Sequence, residues 1–380
     1  MEILNYTEGH LKFRERVRSF FEKEVTPHVD EWEKTGITPK SIWKRMGQEG
    51  FLCTSVPGEY GGMGADFLYS VIVSEELVQT GQTGLAAPLH SDVVVPYITS
   101  FGSEELKKKY LPLCVSGDMI TAIAMTEPNA GSDLASIQTT AVEDGSEVVI
   151  NGQKTFISNG INCDLLIIAT KDPSASDAYS GMDLYVVEAG TKGFEKSKKL
   201  SKMGWHSQDT AELTFTDCRI PKENRLGYKG GGFLMLMEKL QQERLMCSIV
   251  AVAGAERMLR DTLRFCSDKA DFGKPLAKLH NNRFKIVETA TEIRLGRVFL
   301  DKLIADHMEG KSIVVDVSMA KFWTTEMAMR VADQCLELQG SYGACEDNPM
   351  ARAWRDMRVL AIFAGTNEIM KGIAVKFMNL

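Results

Sequence analysis

EVVINGQKTFI, residues 147–157, is where the sequence changes period. It reads as two short β runs around Asn151-Gly152, a dipeptide that tolerates the positive φ angles of a tight hairpin turn. Further strands are expected at DLLIIAT (164–170), DLYVVEA (183–189) and AELTFTD (211–217). In the last of these, Leu213 and Phe215 alternate with Thr214 and Thr216, the pattern of a half-buried strand. KDPSASDAYSG (171–181) is a polar loop. The expectation for residues 121–230 is therefore a small antiparallel β unit.

The flanks have a helical period. Upstream, Leu11, Val17, Phe20, Phe21 and Val25 follow one helical stripe, and Leu68, Val71, Ile72, Leu77 and Val78 another. Thr38-Pro39 reads as a helix start, cap followed by proline at the first turn. Downstream, GYKGGG (227–232) is a linker, and helices are expected over about 232–268, 280–308, 312–338 and 350–378. Four long helices in succession suggest a bundle. The class is α+β, with helical units at 1–120 and 231–380 around the β unit.

Composition narrows the function. The chain has 380 residues and a net charge of −7 with both signs interspersed, so no basic field is available for nucleic acid. No apolar run approaches the roughly 20 residues that span a bilayer. The N-terminal stretch lacks the charged-then-apolar order of a signal peptide, and a cytoplasmic location is expected, or an organellar one if a presequence has been removed. Eight cysteines without a CxxC read as reduced, mostly buried thiols, and six scattered histidines give no metal-ligand spacing.

Three stretches carry candidate chemistry. In AIAMTEPNAGSDLASIQT (122–139) an apolar strand runs into small and hydroxylated residues, a place where backbone N–H groups can meet a planar or anionic ligand. The same letters also suit an ordinary turn. In KLQQERLMCS (239–248) the adjacent Glu243 and Arg244 lead into a helix that is apolar nearly all round. A carboxylate at that edge would be desolvated and suited to proton abstraction, or else would be half of a surface ion pair. IFAGTNEIM (362–370) is a polar turn held between two apolar helical stretches. GYKGGG lacks the context of a phosphate loop and reads as a hinge.

TEPNAGSD, FISNG (156–160), KMGWHSQDTAEL (202–213), QERL (242–245), PMARAWRDMRV (349–359) and AGTNEI (364–369) together resemble the acyl-CoA dehydrogenases, and the chain is most similar to the long-chain and isovaleryl branch. The resemblance covers essentially the whole chain. It implies a middle β-barrel between a helical domain and a four-helix bundle, a homotetramer, bound FAD, and α,β-dehydrogenation of an acyl-CoA thioester, with electrons passing to an electron-transferring flavoprotein. In many relatives the base directly precedes the glycine of the C-terminal GT turn, where this chain has Ala364. The branch resemblance moves the base to Glu243, supported by Arg244, with the thioester oxygen held by a backbone N–H near the base or at the 364–365 turn by Gly365, and by a flavin ribityl hydroxyl.

Carried over by position, Ile123, Met125, Thr126, Gly131, Ser132, Phe156, Ile157 and Ser158 line the flavin, Ser132 also touches CoA, and Thr366, Asn367 and Glu368 lie near the adenosine. KADFG, LAKLHNN and ELQGSYG place Lys269, His280, Glu337, Gln339 and Gly340 at the FAD pyrophosphate and flavin of a neighbouring subunit. Lys269, His280, Glu337 and Ser341 depart from the family's usual residues there. Lys keeps the charge of an Arg without its bidentate fork, so weaker FAD binding is expected, with Lys269 and Glu337 offsetting each other as an ion pair. Asp92 in LHSDVVV (89–95) falls where the family's acyl pocket usually has a small or neutral residue. It reads as a capping or solvated Asp, or as a polar group in that pocket. Carrier-bound or alicyclic thioesters, and a flavin-poor binding subunit, are the rival functions.

Overall fold

The hydroxyl of Thr7 accepts the His10 N–H while the His10 ring accepts the Thr7 N–H, a capping box that starts α1 (Glu8–Glu24). The structure, a computed structural model, describes residues 3–177, 179–271 and 273–378; Ala178 of the polar loop and Phe272 of KADFG lie outside these. α1 buries Phe13, Val17 and Phe21, while Leu11 of the expected stripe is turned to solvent. α2 (Val29–Thr35) and α3 (Lys40–Gln48) follow. α3 starts one residue later than expected: Pro39 takes the cap position, and Thr38 is buried ahead of it. In α4 (Phe67–Gln79) the Asp66 carboxylate caps the Leu68 N–H. A π-helical turn, Leu89–Val94, then leads into α5 (Val95–Phe101) and α6 (Glu104–Val115).

Seven strands form one sheet: β1 (Thr121–Ala124), β2 (Thr140–Asp144), β3 (Glu147–Ile157), β4 (Leu165–Lys171), β5 (Met182–Glu188), β6 (Phe194–Lys199) and β7 (Ala211–Pro221). Their order is β1-β4-β2-β3-β7-β6, with β5 on β4. Antiparallel pairing dominates, but β1 runs parallel to β4, and β2 meets β4 in parallel at Thr140 and Lys171. The Asn151-Gly152 hairpin does not form. Residues 147–157 are one strand, and Gly152 (φ 153°) marks an irregularity in its register with β7. A Cβ there would meet Thr139 Oγ1 at 2.4 Å, so close strand packing requires the glycine. The real turn is two residues long, at Gly145-Ser146 between the paired Asp144 and Glu147.

β4 is apolar throughout because both its faces are covered. Leu165, Ile167 and Ala169 join the core beneath the N-terminal helices, while Leu166 and Ile168 join the core of the sheet's other face. Each such Leu or Ile contributes about 1.5–3 kcal/mol. The C-terminal half is a bundle of α7 (Gly232–Asp268), α8 (His280–Met308), α9 (Val314–Leu338), α10 (Pro349–Met357) and α11 (Asn367–Phe377). Gly296 brings α8 close to α9, since a Cβ there would touch Met327 and Trp323 at 3.1 Å. The expected fourth helix is thus two helices, parted by the turn at residues 362–366. Seven cysteines are buried, Cys345 is exposed, and none is bridged. Among the described residues no helix is long and apolar enough to cross a membrane.

Candidate active site

α7 carries Glu243 where it packs toward the π-helical turn and α5. One carboxyl oxygen, Oε2, is shielded from solvent and has no hydrogen-bond partner. Burial pushes the carboxyl up to about 7, against the pull of Arg244 and Lys321. The surface ion pair is excluded among the described residues: Arg244 is buried, its Nε also lacks a partner, and burial lowers its pKa. The Tyr97 hydroxyl on α5 is a third buried polar atom without a partner, and its pKa is raised by burial and by the Glu243 charge. Each unsatisfied group costs about 1–3 kcal/mol. The three lie within electrostatic reach of one another and leave polar atoms that a ligand would satisfy.

The 362–366 turn is fixed from below. Lys321 of α9, with a side chain that is 0% exposed, donates to the Gly365 carbonyl (2.7 Å) and to Asn367 Oδ1 (3.2 Å). Ala364 is held at φ 55° and Gly365 at 92°. Among the described residues, the N–H groups of Ala364 and Thr366 have no acceptor in the chain, and the Gly365 N–H makes only a loose closure of the turn over 362–364. Thr366 caps α11 through the Ile369 N–H. Asn367 faces inward, its amide bonded to Phe322 O and Thr325 Oγ1, so its side chain holds the turn and does not reach out to an adenosine. Glu368 is exposed in the first turn of α11.

A second constellation lies in the sheet. Glu127 is buried and accepts from the N–H groups of Gln138 (2.6 Å) and Thr139 (3.0 Å) and from Lys154 Nζ (2.8 Å). Lys154 also donates to Met125 O (3.0 Å). This pair clamps the 125–139 loop to β3 and leaves Gly131 and Ser132 exposed at its tip. Beside it Thr155 N–H bonds to Thr126 O (2.9 Å), and then Phe156 adopts φ 59° with its ring 67% exposed. An aromatic residue in the left-handed region, turned away from the core, is strained and costly without a partner. The arrangement fits a flat ring system lying over Phe156, with Met125, Thr126 and Ser158 half-buried around it. Ile157 points the other way into the sheet core, and Ile123 is buried beneath, so both reach such a ligand through backbone only.

Lys269, His280, Glu337, Gln339 and Gly340 lie where α7 ends, α8 begins and α9 ends. The expected Lys269–Glu337 pair does not form. Glu337 pairs with Lys285, which the helical spacing of α8 brings over it, while Lys269 caps α7 in the open. Gln339 accepts from Asn348 Nδ2 (2.8 Å), Gly340 sits at φ 58°, and the exposed His280 ring packs edge-on to Phe284. Among the described residues no hydrogen bond or ion pair joins this group to the Phe156 group.

Asp92 is neither a cap nor solvated. It is 3% exposed in the π-helical turn. Burial pushes it up to about 7, with the Ser70 hydroxyl pulling the other way; Ser70 Oγ in turn meets Thr54 Oγ1 at 3.0 Å. Gln242, the residue before Glu243, donates to the Asp92 carbonyl oxygen (2.6 Å), which ties the turn to the helix of the carboxylate. The Asp92 carboxyl therefore costs nothing below its unfolded value of 3.8, and its penalty grows as pH rises and is complete above about 7. Asp92→Asn is expected to raise the melting temperature more at pH 8 than at pH 5; an equal change at both would refute this.

Lys321, Tyr97 and the Glu127–Lys154 pair were not anticipated. The signal for both lysines was phase: Lys321 shares a helical stripe with Val317, Thr324 and Ala328, and Lys154 keeps the two-residue period of Val148 and Ile150.

Family models match the chain as the acyl-CoA dehydrogenase N-terminal domain (residues 7–118), middle domain (122–218) and C-terminal domain (230–378). It is 41% identical over 372 residues to the mitochondrial long-chain specific acyl-CoA dehydrogenase of Sus scrofa, covering 98% of this chain and 86% of that protein. The structure resembles that of an acyl-CoA dehydrogenase from Geobacillus kaustophilus with a TM-score of 0.97, 52% identity and 99% of each chain covered. It also resembles the FAD complex of PigA, with a TM-score of 0.93, 26% identity and 99% of each chain covered.

Proposed function

The chain belongs to the acyl-CoA dehydrogenase family, whose three domains it carries in order, and from that premise we propose that Glu243 is the base that removes the α-proton of an acyl-CoA. The enzyme is an oxidoreductase acting on CH–CH bonds, and it depends on FAD. The observation that carries the assignment of the base is its shielded, unpartnered carboxyl oxygen. A thioester α-proton is weakly acidic, so abstraction needs a poised base and donors at the developing enolate oxygen. Glu243 meets the first need with a pKa near 7. The free N–H groups of Ala364 and Thr366 meet the second. Bound FAD supplies the oxidant for the β-hydrogen and its electron pair. Phe156 and the clamped 125–132 loop hold the flavin, Ser132 reaches the CoA, and Arg244 keeps the carboxylate's surroundings cationic.

The substrate is a CoA thioester of a longer acyl chain, in keeping with the long-chain specific relative. The three domains span 1–120, 121–230 and 231–380. The functional unit is a homotetramer. Phe284, Val287, Leu295 and Val298 form an apolar face on α8, each 57–63% exposed, which a second copy would cover. In that assembly Lys269, His280, Glu337 and Gly340 meet the neighbour's FAD, and an electron-transferring flavoprotein takes the electrons away. Eight unbridged thiols suit a reducing compartment such as the cytoplasm.

The test is flavin reduction in the purified protein by a panel of acyl-CoA thioesters. Because the ionised base is the active form, kcat/KM is expected to rise with pH through about 7 and level off above it. A protein that takes up no FAD, or a profile flat from pH 5 upward, would refute the reading.

A further inference from the structure

The buried cation of α9 touches both halves of the site. Lys321 Nζ bonds to the Gly365 carbonyl at 2.7 Å and to Asn367 Oδ1 at 3.2 Å. The same ammonium lies within the electrostatic reach of Glu243, Arg244 and Cys247 on α7 and of Glu368 on α11. Nothing else in the described chain bonds to the Gly365 carbonyl. We propose that Lys321 is a positioning residue for the dehydrogenation: one ammonium fixes the 364–366 turn, whose free N–H groups receive the enolate oxygen, at a set place relative to the base on α7. The inference rests on Glu243 being that base.

Three observations carry it. A lysine with no exposed surface is costly to bury and persists only where its donors are used. One of its acceptors, the Gly365 carbonyl, lies in the turn and the other, Asn367, is the first residue of α11; between α9 and α11 the turn also holds the only non-glycine residue at positive φ among the described residues, Ala364. Left to itself an alanine at φ 55° relaxes toward negative φ, and that would swing the adjacent peptide groups. The grip on the Gly365 carbonyl opposes this swing. Asn367 completes the grip by bridging Lys321 to Thr325 Oγ1 and Phe322 O.

The cation has a second effect at Glu243. The charged and titratable groups around that carboxyl are Arg244 and Cys247 on its own helix, Tyr97 from α5 and Lys321 from α9. Lys321 and Arg244 are the two that favour its ionised form. Removal of Lys321 therefore leaves burial less opposed, and the base ionises only at higher pH.

The experiment compares the wild-type holoenzyme with Lys321→Met, Lys321→Arg and Glu243→Gln. Each is mixed anaerobically with an acyl-CoA, and the rate of flavin reduction is followed across roughly pH 5.5 to 9. Lys321→Met is expected to lower the limiting rate about 100-fold, as a misplacement near 1 Å does, and to move the acid limb to higher pH. Lys321→Arg keeps the charge and is expected to return the limb to its wild-type position while recovering only part of the rate. An unmoved limb in Lys321→Met, with the rate reduced equally at every pH or by less than about threefold, makes Lys321 ordinary core support and overturns the inference. Should Lys321→Met fail to fold, Lys321→Gln, which keeps a donor without the charge, is read by the same two criteria. Glu243→Gln separates the layers: a fast Glu243→Gln enzyme removes the base assignment, whereas a dead one beside an unmoved Lys321→Met limb removes only the role of Lys321.

Discussion

Glu243→Gln leaves the bound flavin almost unreduced by acyl-CoA, with the rate down roughly 10⁴-fold, the upper range for loss of a general base. Glutamine matches the shape of the side chain and cannot accept the α-proton. The binding of acyl-CoA is expected to change little, because the carboxylate's work falls in the transition state. Folding is not at risk. The wild-type carboxyl is buried with one oxygen unpartnered, and its pKa is already pushed up by desolvation, so a neutral amide removes a penalty. Anaerobic mixing and the absorbance of oxidised flavin measure the effect. Asp92, buried in the turn tied to Gln242 and raised to about 7 by burial, is the first alternative acceptor to examine if this variant stays active. A variant within tenfold of wild type would place the proton's acceptor elsewhere.

Lys154→Met is expected to cost about 3–5 kcal/mol in stability, the range for breaking one side of a buried ion pair. Glu127 is 5% exposed, and without Lys154 its charge keeps only the N–H groups of Gln138 and Thr139. The carboxyl is held below its usual value in the fold despite burial, with Lys154 the leading cause of the lowering. Its stabilisation is present above the unfolded value of 4.5 and is lost as pH falls through the folded value. The deficit of Lys154→Met against wild type therefore narrows as pH approaches 4.5, where the stranded carboxylate takes a proton. Urea unfolding at pH 7 and pH 5 reads both effects. FAD affinity should fall as well, because the 125–132 loop loses the clamp on its Met125 carbonyl. A change under about 1 kcal/mol at pH 7 would mean that water or a shifted side chain replaces the ammonium.

The α–β–α order was legible because period is set by which face is buried, and that is local. Glu243 stood out locally as a carboxylate at the edge of an apolar helix, but its role as base came from the resemblance: Ala364 stands where many relatives carry the base, and the long-chain and isovaleryl branch carries it at the Glu243 position. Asn151-Gly152 misled because glycine answers two needs with one letter. A tight turn and a close crossing of strands both exclude a Cβ, and only the pairing of β3 with β7 tells them apart. Lys285 displaced Lys269 as the partner of Glu337 for a similar reason, since the choice depends on how α8 lies against α9. The letters of IFAGTNEIM did announce a turn, yet the helical span expected over 350–378 ran across it; α10 ends at Met357 and α11 begins at Asn367. Lys321 of α9 then holds the carbonyl of Gly365 within that break.

The length of α7 has a consequence for how damage is shared. Glu243 and Lys269 sit on one unbroken helix, 26 residues apart, which sets them about 39 Å from each other. That is further than one dinucleotide stretches. In the homotetramer proposed above, a chain whose Glu243 serves one FAD would therefore bring its Lys269 to a neighbour's FAD instead. On that proposal a lesion at Lys269 would weaken the reaction of a neighbouring chain that is itself intact, and two differently damaged chains, assembled together, would leave one sound catalytic centre between them.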